Sequence, residues 1–188
     1  MTKTGGILKS NGKFWNDEEE IKMSDKALEV FFDFACPFSY RASGYLTELL
    51  PEFPGLEIIW RPCEAHPRPE RYGKHSDLCA MGMYYCRDAG GNMLAYYQRM
   101  YKAVFEDKID IEDVGAVEAS MSGVIDPEDL KRVLQSGRYA AELDAANRRI
   151  WDELAFPAVP SYMMGDRRLD AAPGVGVTKE QLREFIGS

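Results

Sequence analysis

Ala27-Leu28-Glu29-Val30-Phe31-Phe32-Asp33-Phe34, followed by Ala35-Cys36-Pro37-Phe38-Ser39-Tyr40, is the stretch that decides the fold. The first run is rich in β-branched and aromatic residues and lacks the polar alternation of a half-exposed strand. It predicts a central strand buried on both faces. Pro37 suits the first turn of a helix, where its missing N–H costs nothing. From Arg41 to Leu50 the apolar positions Tyr45, Leu46, Leu49 and Leu50 fall at helical spacing. Pro51 and Pro54-Gly55 close that helix, and Leu56-Glu57-Ile58-Ile59-Trp60-Arg61 reads as a second strand. Strand, helix and strand in so short a span form a βαβ unit, with parallel strands and a right-handed crossover.

Strand character returns near the C-terminus. Ala158 to Met164 reads as a strand, Gly165-Asp166 as a tight turn and Arg167 to Asp170 as its hairpin partner. Thr178, with Gln181 three residues on, carries the capping-box signature of a last helix through Phe185. From His75 to about Ala155 only helical stripes occur: Leu78, Met81 and Tyr85; Leu94, Tyr97 and Tyr101; Tyr139, Leu143, Ala146, Ile150 and Leu154. Asp126-Pro127-Glu128-Asp129 is a helix start with acidic residues in its first turn. Gly90-Gly91, Ser122-Gly123 and Ser136-Gly137 break the block into four or five segments. The expected architecture is an α/β domain formed by residues 27–66 and 156–188, interrupted by a helical insertion at 67–155. Residues 1–26, with the acidic run Asp17-Glu18-Glu19-Glu20, read as a poorly ordered or loosely docked arm.

Composition excludes several classes of function. The 188 residues include 23 Lys and Arg against 31 Asp and Glu, a net charge of −8 that repels a phosphate backbone, so nucleic-acid binding is not expected. No apolar run reaches the roughly 18 residues of a membrane-spanning helix. The first residues lack the pattern of a secretion signal, which points to the cytoplasm. Four cysteines, Cys36, Cys63, Cys79 and Cys86, are too few for a disulfide scaffold in a chain of this length and read as free thiols.

Cys36 stands directly after a buried strand, in the first turn of a helix. Unpaired backbone N–H groups and the helix dipole favour a thiolate there, which makes this cysteine the candidate nucleophile over a plain core residue. Val159-Pro160-Ser161 puts a proline at a strand start, where it removes a ladder hydrogen bond. Two readings fit: an edge strand begins there, or a cis bond leaves backbone groups free for an extended thiol substrate.

Phe32 to Tyr40, the helical block and Ala158-Val159-Pro160-Ser161-Tyr162 together resemble the DsbA-like branch of the thioredoxin superfamily. Within it the chain is similar to the FrnE-type oxidoreductases and to the group of 2-hydroxychromene-2-carboxylate isomerase and kappa-class glutathione transferase. The resemblance implies a thioredoxin fold with a helical insertion, Cys36 as nucleophile and Pro160 as the cis-proline. It also implies substrate docking at Pro37, Phe38, Val159 and Ser161. The redox members carry a second cysteine where this chain has Ser39, and the isomerase group carries a serine where it has Cys36. A serine cannot resolve a mixed disulfide. Ser39, one helical turn on, is therefore assigned to stabilising the Cys36 thiolate by a hydrogen bond.

Cys63, just past the second strand, is the candidate remote resolving thiol, because parallel strands end at the same sheet edge; the alternative is a loop residue out of reach. Cys79 and Cys86 share a helical face too far apart to bridge, and with His75 and Met83 or His66 they make a poor metal set, so no metal is expected. His66 is a weak candidate base or anion-binding residue. The function expected is single-cysteine thiol–disulfide exchange, with no permanently bound cofactor, glutathione or protein thiols as partners, and a homodimer left open. The alternatives are a glutathione-dependent isomerase or transferase, its pocket lined by Tyr84, Tyr85, Tyr96, Tyr97 and Tyr101, or a binding protein without catalysis.

Overall fold

In the computed structural model, which describes residues 27–188, strand β1 (Ala27–Phe32) lies inside a four-stranded sheet. Its neighbours are β2 (Glu57–Pro62) and β3 (Ser161–Met164), with β4 (Arg167–Leu169) beyond β3. β1 runs parallel to β2, with Val30 opposite Trp60, and antiparallel to β3, with Val30 opposite Tyr162. Paired on both edges and covered on both faces, β1 has no solvent-facing side, and Leu28, Val30, Phe31 and Phe32 are all fully buried. β3 and β4 form an antiparallel hairpin turned at Gly165, whose positive φ suits glycine. The arm expected at residues 1–26 lies outside the described residues.

Between β1 and β2 runs helix α1 (Pro37–Leu49), extended by a 3₁₀ turn at Leu50–Glu52. Between β2 and β3 come α2 (Asp77–Asp88), α3 (Met93–Phe105), α4 (Val114–Ser120), α5 (Pro127–Ser136) and α6 (Ala140–Arg148). Asn92, Asp113 and Asp126 cap three of these, each side chain accepting a backbone N–H of the first turn. The last helix, α7 (Lys179–Gly187), starts with the expected capping box between Thr178 and Gln181.

One face of the sheet carries the main core. Val30 and Phe32 meet Leu46 and Leu49 of α1, Tyr97 and Tyr101 of α3, and Leu182 of α7. The Tyr97 ring lies 4.8 Å from Phe32 and 4.5 Å from Trp60, so the helical block shares the core of the sheet. The opposite face holds a smaller cluster of Phe31, Cys63, Ile150, Phe156 and Val159.

Two boundaries differ from the sequence reading, and both shape this smaller cluster. The helix expected to run to Leu154 leaves α geometry at Arg148 and becomes a π-helix at Arg149–Glu153, where the Leu154 N–H donates to the Arg149 carbonyl at 2.8 Å. The wider turn and the positive φ of Ala155 bring the chain back so that Phe156 packs 5.0 Å from the Phe31 ring. The strand expected from Ala158 begins only at Ser161, and residues 158–160 stay outside the ladder.

Candidate active site

Cys36 is the N-cap of α1. Its extended backbone (φ −83°, ψ 120°) turns the chain from β1 into the helix. Its carbonyl accepts the Tyr40 N–H at 3.0 Å, while its own N–H donates to the Asp33 carbonyl at 3.1 Å. No side chain caps α1, so its first-turn N–H groups after Pro37 have no side-chain partner at the end where Cys36 stands. Cys36 is half-buried, and its Sγ–H donates to the Val159 carbonyl at 3.6 Å. The Val159–Pro160 peptide is cis. Of the other docking candidates, Pro37 is exposed, and half-buried Phe38 carries the Arg41 guanidinium 5.4 Å from its ring centre. Arg41 also donates to the Val175 carbonyl, which ties α1 to the loop before α7.

Asp33 builds the ground under this site, and the sequence reading gave it no role. Its Oδ1 accepts the Ala35 N–H at 2.7 Å and the Ser76 hydroxyl at 2.6 Å. Its Oδ2 accepts the Ala65 N–H at 2.8 Å, beyond the end of β2. Its carbonyl takes the Tyr101 hydroxyl at 3.1 Å as well as the Cys36 N–H. One carboxylate thus joins the exits of β1 and β2 and the approach to α2. Burial raises its pKa above the ordinary carboxylate range, opposed by the hydrogen bonds from Ala65, Ser76 and Ala35. The available signal was a charged residue set between Phe32 and Phe34 in a mostly apolar run.

The remaining site candidates fall into distinct places. Ser39 is fully buried and its hydroxyl has no hydrogen-bond partner, with Cys36 or any other described residue. Ser161 is also fully buried; its hydroxyl donates to the Ala158 carbonyl at 2.8 Å and accepts the Ala171 N–H at 2.9 Å. Those bonds fix the turn that presents Val159 and shield Ser161 from direct contact with a substrate. Cys63 lies in the small cluster against which Cys36 packs, wholly buried, with its thiol directed to the Phe32 carbonyl at 3.4 Å. Burial pushes the Cys63 thiol well above its ordinary pKa, and the neighbouring Asp33, Cys36 and Glu64 push in the same direction.

Cys79 and Cys86 are core residues of α2, and no described group of His, Cys, Asp and Glu converges as metal ligands. His75 is buried with Nδ1 2.9 Å from the His66 carbonyl, while His66 is exposed and pairs with Glu70 at 3.2 Å. Tyr96, Tyr97 and Tyr101 are buried in the main core rather than lining a pocket. Tyr84 does line one, a cavity of about 210 Å³ floored by Phe31, Trp60 and Ile150 and edged by Arg61 and Arg149.

The architecture has counterparts in known proteins. The probable DsbA oxidoreductase of Streptomyces coelicolor superposes with a TM-score of 0.70 at 17% identity, over 85% of this chain and 88% of that one. 2-Hydroxychromene-2-carboxylate isomerase superposes with a TM-score of 0.64 at 16% identity, over 86% and 93%. The cytosolic disulfide reductase DsbM of Pseudomonas aeruginosa with GSH superposes with a TM-score of 0.65 at 15% identity, over 86% and 97%. At these identities the likeness is one of fold. A family model adds sequence: the pattern of the DSBA-like thioredoxin domain matches residues 27–184, nearly the whole described chain, and the protein belongs to that family.

Proposed function

We propose that this protein is a thiol–disulfide oxidoreductase that works through Cys36 alone, with glutathione as its co-substrate. The observation that carries the reading is the placement of Cys36 Sγ at the uncapped N-terminus of α1, hydrogen-bonded to the Val159 carbonyl. Loss of the Sγ proton leaves a thiolate among the first-turn N–H groups and frees that carbonyl to accept an N–H from an extended thiol substrate. The thiolate attacks a mixed disulfide R–S–S–G. A new S–S bond forms between Cys36 Sγ and the glutathionyl sulfur, the S–S bond of the mixed disulfide breaks, and R–S⁻ leaves and takes up a proton. A second glutathione thiolate then attacks the Cys36 adduct, releasing oxidised glutathione and regenerating the Cys36 thiolate.

Ser39 offers no second thiol, and Cys63 is sealed with its proton held firmly, so resolution from solution fits better than resolution within the chain. The DsbM neighbour, a cytosolic reductase with GSH, supports glutathione and a cytoplasmic setting. No described helix is long and apolar enough to cross a membrane. Pro37, Phe38 and Val159 are assigned to docking, with Pro160 and Ser161 shaping the Val159 turn. The isomerase alternative loses three of its five pocket tyrosines to the core, and the cavity at Tyr84 is not lined by Cys36.

The test is turnover of a glutathione mixed disulfide, with intact-mass measurement of the protein after oxidised glutathione. One adduct on Cys36, removed by reduced glutathione, and turnover abolished by Cys36→Ser are expected. Turnover unchanged in Cys36→Ser would overturn the reading. A Cys36–Cys63 disulfide after oxidation would move resolution into the chain.

A further inference from the structure

Away from Cys36, between the segment after β2, the start of α2 and the start of α6, lies a pocket of about 180 Å³. Glu64, Asp77 and Asp144 line it, against the single guanidinium of Arg68. Glu64 is 4% exposed, and its Oε1 is buried with no hydrogen-bond partner among the described residues. Its other oxygen has only a long contact, 3.5 Å from Asn147 Nδ2. Asp77 Oδ1 is likewise buried and unpartnered, while its Oδ2 faces Arg68 Nε at 3.4 Å. Arg68 is divided between Asp77 and Glu112, the latter also at 3.4 Å, so it does not satisfy the two bare oxygens. Buried carboxylate oxygens without donors are costly, and two in one pocket call for a donor-rich cation.

A metal ion needs at least three converging ligands, and no described group provides them. A primary ammonium is suited to the arrangement, since it carries three N–H donors on a compact charge. The rest of the wall is apolar, with Met81 and Leu143 on opposite helices. We propose that this pocket binds a primary alkylammonium ion, its three N–H groups directed at Glu64 Oε1 and Asp77 Oδ1 and its methylene chain lying along Met81 and Leu143. The volume matches a short aliphatic amine rather than a bulky ligand.

The groups facing Glu64 set the pH dependence. Burial, then the carboxylates of Asp77 and Asp33, raise the Glu64 carboxyl to about 7, opposed by Asn147 and His75. Arg68 and Asp144 complete the charged lining. An ammonium binds the ionised form, whose share grows from about a tenth at pH 6 to about nine-tenths at pH 8, so the apparent affinity rises about tenfold over that range.

The full-length protein is titrated with 1,5-diaminopentane by calorimetry and by amide chemical shifts, with pentan-1-ol as the uncharged control. Saturable diamine binding is expected, about tenfold tighter at pH 8 than at pH 6, with shifts centred on residues 64, 77, 81 and 143. Glu64→Gln and Asp77→Asn, each with unchanged circular dichroism, are expected to weaken binding by at least about tenfold. A parallel titration with Nα-acetyl-lysine methylamide identifies the source. Equal affinity assigns the pocket to a lysine side chain, weaker affinity to a free amine, and both uphold the ammonium site. No saturable binding of either amine, equal binding of pentanol, or binding unaffected by both variants would overturn it.

Discussion

Two parallel strands end side by side in this protein, each is succeeded by a cysteine, and the two thiols have opposite surroundings. β1 runs out into Cys36, whose next residues are the first turn of α1. β2 runs out into Cys63, whose next residues dive under α6 and the π-helix: the Glu64 N–H donates to Asn147 Oδ1 at 2.8 Å, and its carbonyl accepts the Trp151 indole N–H at 2.8 Å. Cys36 is left half-buried at a helix N-terminus, whereas Cys63 is sealed against Phe31 and Ile150. A strand end at the sheet edge is therefore only an opportunity for a reactive thiol. The segment that the strand leads into, a free helix start or a packed loop, decides whether that opportunity is used.

The largest expected effect tests this contrast directly. In the native protein, iodoacetamide is expected to modify Cys36 at least about a thousandfold faster than Cys63, since reaction at Cys63 requires opening of the sheet core. Peptide mapping over a time course measures both rates, and comparable rates would show that Cys63 is not sealed. Asp33 ties the two exits together, and Asp33→Ala removes three accepted hydrogen bonds in a buried setting. It is expected to cost about 3 kcal/mol or more, seen in urea unfolding, and to raise Cys63 alkylation as the β2 exit loosens. A loss below about 1 kcal/mol would show that the exits hold independently.

Glu64 sharpens the β2 side through pH. Its carboxyl keeps a proton in the fold up to about pH 7, while the unfolded chain releases it near 4.5. The folded state thus binds the extra proton between those values, so this contribution is complete below pH 4.5 and is lost as the pH rises through 7. The loss amounts to about 3 kcal/mol by pH 8, and Glu64→Gln is expected to flatten that part of the stability profile. An identical profile in the variant would assign the pH dependence elsewhere. The smallest effect is a control at the start of α7, outside both strand exits. Thr178→Ala breaks the α7 capping box, with an expected cost of about 1 kcal/mol by thermal melting. Cys36 reactivity should be unchanged; a changed rate would mean that α7 also supports the site.

Much of the site was legible because its signals are local. Proline after Cys36 marks a helix start, and the Thr178–Gln181 spacing marks another. Pro160 was visible as an anomaly in a strand with a substrate-docking reading, but the contact of the Val159 carbonyl with Cys36, across 123 residues of chain, was not. Asp33 stood within the quoted motif without a role, because its partners Ala65 and Ser76 come from two later segments. Ser39 was assigned to the thiol by helical spacing, and the structure leaves its hydroxyl in the core without a partner.

The order βαβ, helices, ββα, the buried central strand and the cysteine at a helix N-terminus are all encoded locally. Each depends on periodicity, capping or composition within a few neighbouring residues. Long-range packing sets the rest: Cys63 is closed off, Asp33 links two strand exits, the helix after Arg148 widens into a π turn, and Glu64 and Asp77 share a pocket. Those outcomes depend on which distant segments meet and how much water they exclude. Burial first, and then the charges that distant segments bring close, separate Cys63 and Glu64 from exposed residues of the same type, and no local pattern encodes either.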